Sequence, residues 1–279
     1  MPTPEAPALQ PTQINGVNLG VFDSGSGEPV VFVHGAMGDE CFAVLGEPAL
    51  TERFRLIHYH RRGYGTSGDT GLPISMSQEA ADCRAVLQHL GIEQAHVVGQ
   101  SAGGRVVLQL ALDFPDTVHT LALLEPALPA VLSNSRKLVS VMQEALFLHD
   151  SGDKAGATDT FTQEAAGENY RAIFDQTLPA GWFERLVADM DTFFRHRPPE
   201  GLSWAFTRED AERIAQPVLN MRGISTRSYC REVHETLAAW LPQAENVVLP
   251  NATHAMLQTN PGGAAQSLAD FFARHPMEG

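Results

Sequence analysis

Residues 99–103 read Gly-Gln-Ser-Ala-Gly, a G-x-S-x-G that sets Ser101 between two glycines. With 24 Gly in 279 residues, this pattern alone arises by chance in about one such chain in ten, so its setting must carry the argument. An apolar run, 95–98 (AHVV), leads into it, and a helix-periodic stretch, 102–114, leads out and is stopped by Pro115. A strand turning directly into a helix holds a serine hydroxyl at the carboxyl edge of a sheet, where helix amides favour developing negative charge. The glycines are needed because side chains in so tight a turn would strike the neighbouring strand and helix.

Such a serine is a candidate nucleophile for acyl transfer, but its hydroxyl needs a base. Of 11 histidines, only His254 is well placed: it lies in the loop 250–254 after the last apolar run, 246–249 (NVVL), and before the closing helix. Loops at the carboxyl edge of a parallel sheet can reach one another. His89, His96, His119 and His234 fall within expected helices or strands and read as structural or solvent-facing. An oxyanion needs amide donors. The run 30–33 (VVFV) ends in His34-Gly35, so Ala36 N–H is one candidate and Ala102 N–H, just after the nucleophile, the other. One such donor is worth about 2.7–4 kcal/mol in acyl transfer. His-Gly after a strand is also simply a common turn.

The elements that must position these groups are legible. Runs 30–33, 55–59, 95–98, 120–124, 217–221 and 246–249 read as strands, and 76–90, 102–114, a stretch ending at Trp240, and 263–274 as helices. Continuous apolar strands separated by helices signal a mostly parallel sheet covered on both faces, an α/β architecture. The alternation fails over 129–208, which is helix-like with Gly, Pro and Asp breaks, and reads as an inserted helical cap. The expected domains are therefore a core of 1–128 plus 209–279, with 1–13 a disordered lead-in, and a cap of 129–208.

Composition bounds the rest. A chain of 279 residues buries about 70–75% of its unfolded surface and needs no staples. No apolar stretch approaches the roughly 18 residues of a membrane span. A net charge of −14 repels a phosphate backbone, which argues against nucleic acid as a partner. Cys41, Cys83 and Cys230 form no CxxC pair and read as buried or incidental thiols. Residues 1–13 lack the charged and apolar regions of a secretory signal, so a cytoplasmic protein is expected.

As a set, His34-Gly35, Arg62-Gly63-Tyr64-Gly65-Thr66-Ser67, the turn at Ser101, and His254 in that chain order resemble the α/β-hydrolase fold superfamily, in its cap-bearing esterase and lactonase-like branch. The resemblance runs from Ile14 to about His275 and implies the fold strongly and the substrate hardly at all. Two positions depart from it. Many relatives place the triad acid in a G-x-x-D segment after the strand matching 217–221; here the segment is 223–227 (GISTR), with Thr226 at the acid's place. Some relatives place it after the preceding strand, where this chain has Glu125, so Glu125 is assigned the acid, accepting the second ring proton of His254. The alternatives are a Glu125 that merely pairs with an arginine, and a Ser-His dyad oriented by Glu232 or water. His60 stands where relatives often carry Asp.

Two patterns are decoys. Residues 63–68 match G-x-G-x-x-G after a strand, but Gly71 and Pro73 leave no helix to receive a pyrophosphate. His58 and His60 share a strand face, but no nearby Asp or Cys completes a metal set. No cofactor and no metal are expected.

Seven of the 14 Phe (147, 161, 174, 183, 193, 194 and 206) and two of the three Trp (182 and 204) lie in the expected cap. A small cap cannot bury them all, so some line the cleft; otherwise they glue cap to core. The substrate-binding set is His34, Met37, Gln100, Trp182, Phe183 and Met256. The expected function is a serine hydrolase cleaving a carboxylic ester or lactone of a largely apolar small molecule through an acyl-enzyme. The rivals are carbon–carbon bond hydrolysis or cofactor-free perhydrolysis at the same site, and a small-molecule receptor on a hydrolase scaffold. As to assembly, the sequence leaves a homodimer open.

Overall fold

The computed structural model describes residues 6–69, 71, 74–133, 136–195 and 204–277. Pro73, invoked above against a dinucleotide site, lies outside them. Among them one eight-stranded sheet runs β1 (Gln10–Ile14), β2 (Val17–Gly25), β4 (Phe54–Tyr59), β3 (Glu28–Val33), β5 (Ala95–Gln100), β6 (Val118–Leu124), β7 (Val218–Gly223), β8 (Glu245–Leu249) in spatial order. β1, β2 and β4 pair antiparallel, and from β4 onward all pairs are parallel.

The apolar strands alternate faces as period-2 geometry requires. Val31, Val33, Ile57, Tyr59, Val97, Leu121, Leu123 and Val218 face one cluster, packed under helices α1 (Met76–His89), α2 (Ala102–Asp113) and α7 (Ser228–Trp240). Val30, Phe32, Leu56, Val98, Ala122, Leu124, Leu219 and Met221 face the other, against α8 (Pro261–Arg274). Burying one such side chain stabilises by about 1.5–3 kcal/mol. The helix starts are written locally: Ser75 Oγ accepts from Gln78 N at 3.1 Å, and Asn260 Oδ1 accepts from Gly263 N at 3.0 Å.

The amino-terminal expectation is corrected. Residues 10–13, expected to be disordered, pair with β2 through a turn whose Asn15 and Gly16 have φ of 45° and 81°. Asn-Gly with both φ positive is the hairpin signal that a composition-based reading overlooks.

Between β6 and β7 the described residues carry helices and no strand: α3 (Arg136–Asp150), α4 (Lys154–Ala166), α5 (Tyr170–Thr177) and α6 (Trp182–Arg195), besides short turns. These share their own apolar cluster, which rests on Met37 and Ala255 of the core. α6 is pinned by polar contacts: Asp189 accepts from Gly38 N and Gly65 N, both at 2.7 Å, Thr192 donates to Gly63 O, and Arg185 pairs with Asp39. Trp204 and Phe206, inside the expected cap range, instead pack on the core, with Trp204 Nε1 donating to Gln109 Oε1 at 2.7 Å.

Candidate active site

Ser101 follows β5 and stands at the N-cap position of α2 with φ 52° and ψ −117°, a strained conformation for a residue with a side chain. The fold over-determines it. Ser101 N donates to Leu124 O, and Ser101 O accepts from Gly104 N and Ala127 N. A Cβ on Gly103 would lie 2.1 Å from Val33 O, so only glycine lets α2 approach the sheet here.

Glu125 occupies the equivalent edge position on β6, also at positive φ, 44°. It is buried, and its carboxylate meets three donors: Gly223 N on Oε1 at 2.8 Å, and Thr226 Oγ1 at 2.8 Å and His254 Nδ1 at 2.7 Å on Oε2. Burial pushes its pKa up, but the bonds from His254, Gly223 and Thr226 outweigh that and hold it below the usual carboxylate value. His254 feels the reverse. Burial pulls its pKa down, while Cys230 and Glu125 raise it well above the usual imidazole range. Cys230 Sγ lies 3.8 Å from Nδ1.

His254 is carried by residues 250–254, and Gln100 Nε2 donates to its carbonyl at 2.8 Å. Gly223 admits this loop, since a Cβ there would lie 2.4 Å from Ala252 O. Thr226, standing where an acid was expected, instead serves Glu125. Glu232 is half-buried and accepts from Ser133 N, while the imidazole Nδ1 is taken by Glu125.

Ser101, His254 and Ala36 line one cavity of about 60 Å³, with Met37 and Gln100. Neither Ala36 N–H nor Ala102 N–H makes a hydrogen bond among the described residues, so two donors remain free beside the serine. The turn that carries Ala36 is held on both sides of Gly35: its N–H donates to Glu40 Oε1, and its carbonyl accepts from Arg61 Nη2. Arg61 is itself buried, pairs with Glu79 at 2.7 Å and lies 4.5 Å over the Tyr64 ring. His60 answers a question the sequence left open: its Nδ1 accepts Thr66 N–H at 2.9 Å and so caps the turn that follows β4.

Four expected substrate-binding residues lie elsewhere. His34 is fully buried behind the wall, its ring spanning Gly35 O and Arg61 N. Trp182 is buried in the helical cluster, with Nε1 donating to Asp175. Phe183 lies under the Arg171 guanidinium, 3.8 Å from its ring centre. Met256 turns into the core beneath β7 and β8. Each satisfies its apolar surface against neighbours that sequence distance conceals. In their place the cavity is lined by Phe161, Phe174, Leu186 and Met190 from the inserted helices, and by Glu40 and Gln258 from the core. Glu40 and Gln258 carried no sequence signal, since neither belongs to a recurring spacing.

Among the described residues one group has metal-ligand character: Glu125, Cys230 and His254, whose ligand atoms lie within 4.8 Å of one another. No helix among the described residues is long and apolar enough to cross a membrane.

The comparisons agree with this architecture. The family model described as "alpha/beta hydrolase fold" matches residues 28–261. The soluble epoxide hydrolase of Corynebacterium sp. (strain C12) is 27% identical over 93% of this chain and 95% of its own length. Among solved structures, an alpha/beta hydrolase from Sphaerobacter thermophilus superposes with TM-score 0.74 at 27% identity, covering 94% of this chain and all of that one. The carboxylesterase CesB from Bacillus subtilis, at 18% identity, shares the fold with TM-score 0.76 over 97% of this chain and 93% of its own. A sheet of this order, a strained serine between its fifth strand and the following helix, and a family match over most of the length make this chain a member of the alpha/beta hydrolase fold family.

Proposed function

We propose that this hydrolase cleaves a carboxylic ester or lactone of a largely apolar small molecule through an acyl-enzyme on Ser101. The reading is carried by one observation: an imidazole bound at 2.7 Å to a buried carboxylate borders the same cavity as a serine held at positive φ. His254 takes the Ser101 proton as the oxygen attacks the carbonyl carbon. The carbonyl electrons move onto oxygen, and the Ala36 and Ala102 amides receive that charge. Collapse expels the alkoxide, which takes the proton from His254. Water, deprotonated by His254, then releases the acid and restores the serine. Glu125 holds the imidazole in the tautomer whose Nε2 is free for this work and stabilises the imidazolium.

The inserted helices act as a cap in this reading, supplying Phe161, Phe174, Leu186 and Met190 for the apolar part of the substrate. A cavity of about 60 Å³ is well below the roughly 300 Å³ and more of ordinary ligand pockets, so larger substrates require the cap to shift.

A fluorophosphonate probe with mass-spectrometric mapping tests the proposal: Ser101 is labelled stoichiometrically within minutes. An ester and lactone panel with product analysis completes it. Labelling elsewhere, or carbon–carbon cleavage products in place of acid and alcohol, would refute the reading.

A further inference from the structure

Glu40 is the ionisable cavity residue that this mechanism leaves idle. It sits in the buried helical turn Gly38–Cys41, just beyond the Ala36 amide, and is only 7% exposed. Oε1 accepts the Gly35 N–H. Oε2 makes no hydrogen bond among the described residues, yet it is not sealed into the core, and the side chain forms part of the cavity wall beside Ser101 and His254. The distances are short: a Cβ on Gly35 would lie 2.9 Å from Ser101 Cβ and 3.0 Å from Glu40 Oε1, so the carboxyl and the serine flank a single glycine.

The charged groups near Glu40 are His254, Arg61 and Asp189. Arg61 is engaged by Glu79 and Gly35 O, Asp189 by Gly38 N and Gly65 N, and His254 by Glu125. None contacts the Glu40 carboxyl. Burial pushes Glu40 up to about 7, so the neutral acid is well populated near neutral pH. With Oε1 accepting from Gly35, the acid proton resides on Oε2, and the group offers one O–H donor to the cavity. The inserted helices present mainly apolar side chains to this cavity, Phe161, Phe174, Leu186 and Met190 beside the single hydroxyl of Thr162, and among the described residues no hydrogen bond answers the second carboxyl oxygen.

We infer that Glu40 determines specificity by donating a hydrogen bond to an oxo or hydroxyl oxygen one or two carbons from the scissile carbonyl, so that oxygenated acyl groups are preferred over plain alkyl ones. This rests on the Ser101 reading above and names the substrate class for the same site. A site built to hydrogen-bond a substrate group discriminates strongly against the analogue that lacks it.

The test compares kcat/KM for ethyl 3-oxobutanoate and ethyl butanoate, each divided by its hydroxide-catalysed rate so that intrinsic reactivity cancels. The wild type favours the oxo ester about tenfold or more. Glu40→Leu and Glu40→Met, which have no donor, lose the preference whatever their absolute rates. Glu40→Gln keeps it, because the amide NH2 replaces the O–H while Oε1 still serves Gly35. A wild-type ratio near one, or a ratio that persists in whichever apolar variant folds, overturns the inference. Fluorophosphonate labelling of the same preparations separates the two levels. An unlabelled wild type removes the nucleophile and this inference with it, whereas a labelled wild type with a flat ratio removes the inference alone.

Discussion

Thr226 Oγ1 donates, at 2.8 Å, to the same Glu125 oxygen that accepts the His254 Nδ1 proton. The two residues come from the loops after neighbouring strands, β7 and β6. The carboxylate and the hydroxyl have in effect been divided between the two loops, with the charge on β6 and a donor for it on β7. A buried carboxylate with three donors is fixed in place as well as charged, which is what orienting an imidazole requires.

Replacing Ser101 by Ala removes the proposed nucleophile while keeping the Cβ and the backbone bonds of the turn. Turnover and fluorophosphonate labelling fall to background, while thermal unfolding stays close to wild type, since Ala keeps the Cβ and with it the same strained φ.

Glu125→Gln lowers kcat by about four orders of magnitude, as in an analogous triad change. The pH profile supplies a second readout. In the proposed role of base His254 works only when neutral, and Cys230 and Glu125 hold its pKa above the usual range, so kcat/KM falls as pH drops through that raised value. Without the carboxylate, the acid limb moves to lower pH. A nearly silent substitution would remove Glu125 from the reaction.

Arg61→Leu leaves Glu79 buried without this partner and takes one of two ring or guanidinium contacts from the Gly35 carbonyl. Breaking a buried pair this way costs about 3–5 kcal/mol, measurable by urea unfolding. Adding Glu79→Leu recovers a large part of the loss, and additive losses would show that the pair is not coupled.

Glu40→Gln stabilises the fold at alkaline pH. The acid ionises near its usual 4.5 when unfolded but at about 7 when folded, so the folded state loses stability as pH rises through that window. Gln cannot ionise. The variant's advantage grows from pH 5 to pH 8 and approaches about 3 kcal/mol, with unfolding curves at both pH values as the check.

Asp189→Ala cuts the tie between α6 and the amides of Gly38 and Gly65. The inserted helices loosen, and the kcat/KM ratio of 4-nitrophenyl octanoate to acetate rises several-fold. A wild-type enzyme sharply preferring acetate to longer chains, with this variant no different, would count against an apolar acyl site under a movable cap.

Much of the architecture was legible because it is written in local patterns. The turn at Ser101, the strand before it and the helix after it all fall within about 20 consecutive residues, and the glycine spacing follows from one tight crossing that leaves no room for a Cβ. The position of His254 in the loop after the last strand was legible from chain order alone. The hairpin around Asn15-Gly16 was equally local, and the low hydrophobicity of residues 1–13 obscured it.

What needed the tertiary structure was everything decided by which distant surfaces meet. Trp182, Phe183 and Met256 have the composition of a binding wall, yet packing turns each toward other partners, whereas Leu186 and Met190, one or two helical turns further along α6, reach the cavity. Glu40 is an unremarkable surface type in the sequence. It becomes a perturbed acid only because the Gly35 turn and the inserted helices remove water from around it. Alternation and turn chemistry act over a few residues and leave a trace that can be read along the chain. Desolvation and the direction of a buried side chain depend on segments a hundred or more positions apart, and no local pattern encodes them.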